Sequence, residues 1–157
     1  MTARQQLYLI TEPLPEGDVL REWQWKLGGA STVVALSRSG DAFVRDTNGR
    51  IAWLDTGAGT VTPIAESQEA FQALLADPRE ANQLLLVTVV DKDFETHGPF
   101  PAGTCLGFTM LPILGGSYTL ENRFRLSAVE HFSVTGDMHR QMRDLPDGAK
   151  VRIRITD

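Results

Sequence analysis

Four short apolar segments at 32–36, 41–45, 51–54 and 60–64 alternate with turn chemistry at Ser39-Gly40, Asn48-Gly49 and Gly57-Ala58-Gly59. Asn-Gly between two apolar runs is a strong hairpin signal, because both residues tolerate positive φ. The pattern predicts a four-stranded antiparallel meander. Upstream, Val19, Leu20, Trp23 and Leu27 fall on one helical face, and Gly28-Gly29 supplies the stop for a helix over 18–27. Residues 1–17 read as an N-terminal arm.

After Ala65 the apolar period lengthens from two to nearly four. Phe71, Leu74 and Leu75 recur at helical spacing from a start near Ser67, and Pro78 ends that helix. Asp77, Pro78 and Glu80 form a fresh start, with a capping aspartate, a proline at the first helical position and a capping-box glutamate. The block 84–90 suits a buried strand as well as a helix; the reading adopted is a helix through about Thr96. A loop over 97–103, a strand over 105–110 and a Gly-rich connection over 112–118 follow. Ser127 and Glu130 make another capping box, opening a helix to about Asp144 despite Gly136, which costs about 1 kcal/mol against alanine. Pro146-Asp147-Gly148 is a turn. Residues 150–155 then alternate Val151, Ile153 and Ile155 with Arg152 and Arg154, as one more strand. The fold class is α+β: a mostly antiparallel sheet packed with three to four helices, in a single domain over 1–157.

Composition narrows the picture without naming a function. The 157 residues are 42% hydrophobic and 22% charged, ordinary for one globular domain. Fifteen Lys and Arg against 20 Asp and Glu give a net charge of −5, which argues against a general phosphate-binding protein, and no direct nucleic-acid partner is expected. One cysteine excludes an intramolecular disulfide, and three histidines argue against a structural zinc cage. No basic-then-apolar leader and no membrane-length apolar run are visible, so the expectation is a cytoplasmic protein without a membrane partner. The acidic excess falls on 66–95, with 7 acidic and 2 basic side chains. Such a run is either a solvated helical face or a patch that meets a basic partner.

Several motifs invite a chemical reading. Leu54-Asp55-Thr56-Gly57-Ala58, echoed by Ile113-Leu114-Gly115, resembles the active-site strand of retroviral-type aspartic proteases, where two aspartates share a proton. That fold is an all-β barrel, whereas 67–96 carries two capped helical patterns. The competing reading is a tight hairpin turn in which Asp55 bonds backbone N–H groups. Glu130, His131 and His139 share a helix, but the histidines are eight apart and rotated by roughly 80°, unlike an i, i+4 metal pair. Buried, hydrogen-bonded histidines are the better reading. Cys105 sits among Leu106, Phe108 and Met110 as a core residue rather than a nucleophile. Lys150, Arg152 and Arg154 could contact phosphates, though a basic stripe also protects an edge strand. No catalytic, metal or cofactor site is expected.

Taken in order, other motifs form a series. Trp23-Gln24-Trp25 precedes a strand, followed by Gly40-Asp41-Ala42-Phe43 and Ile51-Ala52-Trp53-Leu54-Asp55-Thr56-Gly57-Ala58-Gly59-Thr60. Cys105-Leu106-Gly107-Phe108, Pro112-Ile113-Leu114-Gly115-Gly116-Ser117-Tyr118, His139-Arg140-Gln141 and Asp144-Leu145-Pro146-Asp147-Gly148 complete it. From about Trp23 to Ala149 the chain resembles the bacterial family of Tdi-type immunity proteins of type VI secretion systems, C-terminal domain. The resemblance implies a non-catalytic antitoxin that binds and neutralises a cognate effector, in the best-known case a DNA-degrading one. An orphan interaction domain without a toxin partner is the alternative. For the partner surface, the expectation is Asp91, Asp93 and Glu95, mimicking phosphate charge against a basic nuclease cleft.

Overall fold

The computed structural model describes residues 2–146 and 148–150. The meander forms as the alternation requires, with β1 (Thr32–Leu36), β2 (Ala42–Arg45), β3 (Ile51–Asp55) and β4 (Thr60–Ala65) side by side and antiparallel. The Asn48-Gly49 turn is fastened by Asp46, whose carboxylate accepts the N–H groups of Asn48 and Arg50 at 2.8 and 3.0 Å. The arm begins with α1 (Ala3–Gln6) and then runs along the outer edge of β1. Ile10 donates to the Leu36 carbonyl and Arg38 to that of Tyr8, so the exposed edge is covered by the chain itself. The predicted helix over 18–27 is present in two pieces, α2 (Glu16–Leu20) and α3 (Gln24–Leu27), joined by a 3₁₀ turn at Arg21–Trp23.

Alternate residues of the meander point to opposite faces, and both faces are covered. On one, Phe43 and Ile51 pack with Phe71, Leu75, Leu84, Leu85 and Val90 from the three helices that follow. On the other, Ala42, Val44 and Leu54 meet Val19, Leu20, Trp23, Cys105 and Phe132. The domain is therefore layered helix, sheet, helix, which is why the strands read as nearly continuous apolar runs.

The three helices are α4 (Gln68–Ala76), α5 (Pro78–Leu85) and α6 (Val87–His97). Ser67 caps the first through the Ala70 N–H, and Asp77 caps the second through the Arg79 N–H. The expected unbroken helix to Thr96 does not form. Leu86 turns left-handed, at φ 48° and ψ 51°, and the chain restarts as α6. Asn82 covers that start by accepting from both the N–H and the hydroxyl of Thr88 at 3.2 Å. The break lets Leu84, Leu85 and Val90 enter the same core.

β5 (Thr104–Phe108) pairs with β6 (Arg123–Ser127) in a second, two-stranded antiparallel sheet. Ser127 then caps α7 (Ala128–Met142). Gly136 is not a defect in that helix: a Cβ there would lie 2.6 Å from the Glu22 carbonyl oxygen, so only glycine lets the 21–23 turn rest on α7. Val151, Arg152, Ile153, Arg154 and Ile155, read as a strand, lie outside the described residues, as does Asp147 of the preceding turn.

Candidate functional site

The two sheets and α7 meet at a knot of buried polar groups. Asp41, 4% exposed, accepts from the Trp53 indole at 2.9 Å and the Thr56 N–H at 3.1 Å. The Thr56 hydroxyl donates to the Gly40 carbonyl at 2.7 Å and lies 2.9 Å from His131 Nε2. His131 Nε2 is also 2.8 Å from the Gly40 carbonyl, and His139 Nε2 donates to the Thr56 carbonyl at 2.8 Å. Each histidine thus secures α7 to a different point of the β1–β2 and β3–β4 turns. Arg123, from β6, donates to the carbonyls of Gly107 at 3.0 Å, Leu106 at 3.1 Å, Tyr118 at 3.3 Å, and Ser39. Its guanidinium lies 3.9 Å over the Phe108 ring.

Asp55 behaves as a turn residue. It accepts from the N–H groups of Gly57 and Ala58 at 2.9 and 3.2 Å, and from the Tyr118 hydroxyl at 2.9 Å. The loop after β5 is thereby tied to the β3–β4 turn. With α4–α6 and α7 helical, the all-β barrel of an aspartic protease is absent, and the protease reading of Asp55 is overturned. The Thr56–His131 pair has the separation of a nucleophile and its base, yet Thr56 is 0% exposed. Cys105 is equally buried, and burial pushes its thiol up to about 12, leaving it protonated and inert. Among the described residues no group of three or more His, Cys, Asp or Glu could hold a metal ion. None of the helices there is long and apolar enough to cross a membrane.

Burial sets the charge states of the knot. It raises the Asp41 carboxyl to about 7, helped by the neighbouring Asp55 charge and opposed by Trp53, Thr56 and Arg123. It lowers His131 to about 4 against the Gly40 bond, and lowers His139 as well. The two larger effects oppose each other in pH dependence. His131 contributes stability above 6.5 that is lost as pH falls toward 4. Asp41 contributes stability below 3.8 that is lost as pH rises toward 7. Between pH 7 and pH 5 the two therefore pull stability against urea in opposite directions. Asp41→Asn is expected to lose stability on that acidification and His131→Gln to gain it; the same pH response in both variants would contradict the assignment.

The three acidic residues expected to face a partner do not share one exposed face. Asp93 is 2% exposed, its carboxylate 2.7 Å from the Arg125 guanidinium and 3.1 Å from His97 Nδ1. Two residues on a helix is about 200°, so Asp93 points inward while Asp91 and Glu95 lie outside. Between the outer two, Phe94 is 46% exposed. The knot itself was only partly visible in the sequence. Asp55, His131 and His139 stand out by residue type, and Asp41 and Tyr118 only as members of the motif series, whereas Arg123 and Arg125 carry no signal of their own.

These features define a layered α+β domain whose buried ionisable side chains are spent on holding it together. Over residues 65–139 the chain matches the family described as T6SS immunity protein Tdi1, C-terminal, which bears out the resemblance over that stretch. The matched segment is shorter than the 23–149 span of that resemblance and takes in α4 to α7 without the meander. The fold is similar to the crystal structure of Atu4351 from Agrobacterium tumefaciens, with a TM-score of 0.56 and 15% identity, covering 83% of this chain and 67% of that one. At that identity the likeness concerns fold alone. A comparison with curated proteins finds no match.

Proposed function

We propose that this chain is an immunity protein that binds and neutralises a cognate type VI effector, a nuclease with a basic cleft. The observation that carries this reading is the family match over 65–139. Neutralisation needs no chemistry from the chain itself: covering the effector's catalytic surface suffices. The proposed contact is the outer face of α6, where Asp91 and Glu95 flank Phe94. Opposite charges there would speed encounter with a basic surface and select against wrong partners. Asp93 takes a different role, as the internal partner of Arg125.

The test is co-purification with the product of the neighbouring gene, followed by titration of the charge-neutral variant Asp91→Asn/Glu95→Gln. Asparagine preserves the acceptor that the Tyr8 hydroxyl uses at 2.8 Å. That variant is expected to fold normally and bind about tenfold more weakly, with a smaller dependence on salt. Asp93→Asn is expected to lower stability by about 3 kcal/mol instead, because it breaks a buried ion pair. Unchanged affinity in the double variant removes this face from the interface.

A further inference from the structure

Beside the acidic face of α6 lies a half-open groove of ≈ 480 Å³, walled by Leu75, Ala81, Leu85 and Val87 and roofed at one end by α1. Its volume falls within the range of specific binding pockets and its walls are mostly apolar, so it can receive apolar bulk from a partner. Arg4 is the one charged residue lining it among the described residues, and no carboxylate does so. Asn82 also lines it. Its side-chain oxygen is taken by Thr88, while among the described residues its NH₂ group makes no hydrogen bond and remains available to donate. This lining suits an occupant that brings apolar bulk and an anionic oxygen together.

The groove also runs into the α6 surface already described. Val87, Asp91 and Glu95 succeed one another at i, i+4 and i+8, one face of the helix. The Tyr8 hydroxyl, on the groove's edge, donates to Asp91 at 2.8 Å. Along this line a partner meets a cation at Arg4, then an apolar recess, then two anions.

Resting on the immunity reading, we infer that the effector seats a large apolar side chain in this groove and sets an adjacent carboxylate against Arg4. The basic surface that meets Asp91 and Glu95 then continues from that anchor. Interface energy concentrates in such apolar anchors, while the alternation of charge rejects partners with the wrong order of signs.

Calorimetric titration with the purified product of the neighbouring gene tests this. Ala81→Trp, which obstructs the recess, is expected to weaken binding about a hundredfold, and Arg4→Glu about thirtyfold. Arg4→Lys keeps the charge and is expected to stay within about threefold of wild type. Arg4 is exposed but its side chain also interacts with Tyr8, so Arg4→Glu is read for binding only once its melting temperature matches wild type. Tight binding by wild type and Arg4→Glu alike overturns the anchor and leaves the immunity reading standing. Absence of binding by the wild-type chain overturns both.

Discussion

Arg123→Met is expected to lower stability by about 3–5 kcal/mol, the cost of removing one side of a buried charge arrangement. The guanidinium serves four main-chain carbonyls drawn from the β1–β2 turn, β5 and the loop before β6. Methionine fills similar space but leaves those oxygens without their donor, in surroundings where water cannot replace it. It also removes the nearby positive charge that favours ionised Asp41. For a chain of this length the loss corresponds to a melting temperature lower by roughly 10 °C. Pairing it with Asp41→Asn is expected to cost less than the two single changes together, since the second removes the anion the first strands. Thermal unfolding followed by circular dichroism reads all three variants, and strictly additive losses would show that the two groups do not share one network.

Gly40→Ala is the second large effect. Gly40 has φ +99°, and a Cβ would lie 2.6 Å from the Leu106 carbonyl oxygen and 2.7 Å from His131 Nε2. The methyl group would enter the space where the β1–β2 turn, β5 and α7 converge. Neither obstacle is a flexible side-chain end, because one is backbone and the other a ring held by two hydrogen bonds. Backbone strain of about 1–3 kcal/mol adds to this displacement, so a loss of about 4 kcal/mol is expected. Loss of the native His131 ring resonances should accompany it. A variant that melts within 2 °C of wild type, by the same scaling, would show that α7 does not bear on this turn.

How legible each part was depended on whether its partners are local. The meander was readable to within a residue at most ends, because Asn-Gly and Gly-rich turns punctuate its apolar runs. β6 was not anticipated, since Arg123 and Arg125 dilute the apolar pattern of a five-residue strand. Their charges are absorbed by carbonyls and by Asp93, which are remote in sequence. The break at Leu86 was equally hidden, as neither glycine nor proline marks it. Asp93 looked solvent-facing within an acidic run until Arg125 from the second sheet supplied its partner. His131 and His139 were rightly separated by spacing. Eight residues rise roughly 12 Å along a helix, so His131 reaches the Gly40 carbonyl and the Thr56 hydroxyl while His139 reaches the Thr56 carbonyl.

Protection of a sensitive cell is read by a growth assay. The product of the neighbouring gene is induced in a sensitive host with this chain, with an empty vector, and with the Arg4→Glu variant. Growth restored by the wild-type chain, accompanied by a one-to-one complex and impaired by the variant, is the predicted result. Continued toxicity beside folded, abundant wild-type chain would contradict the immunity reading.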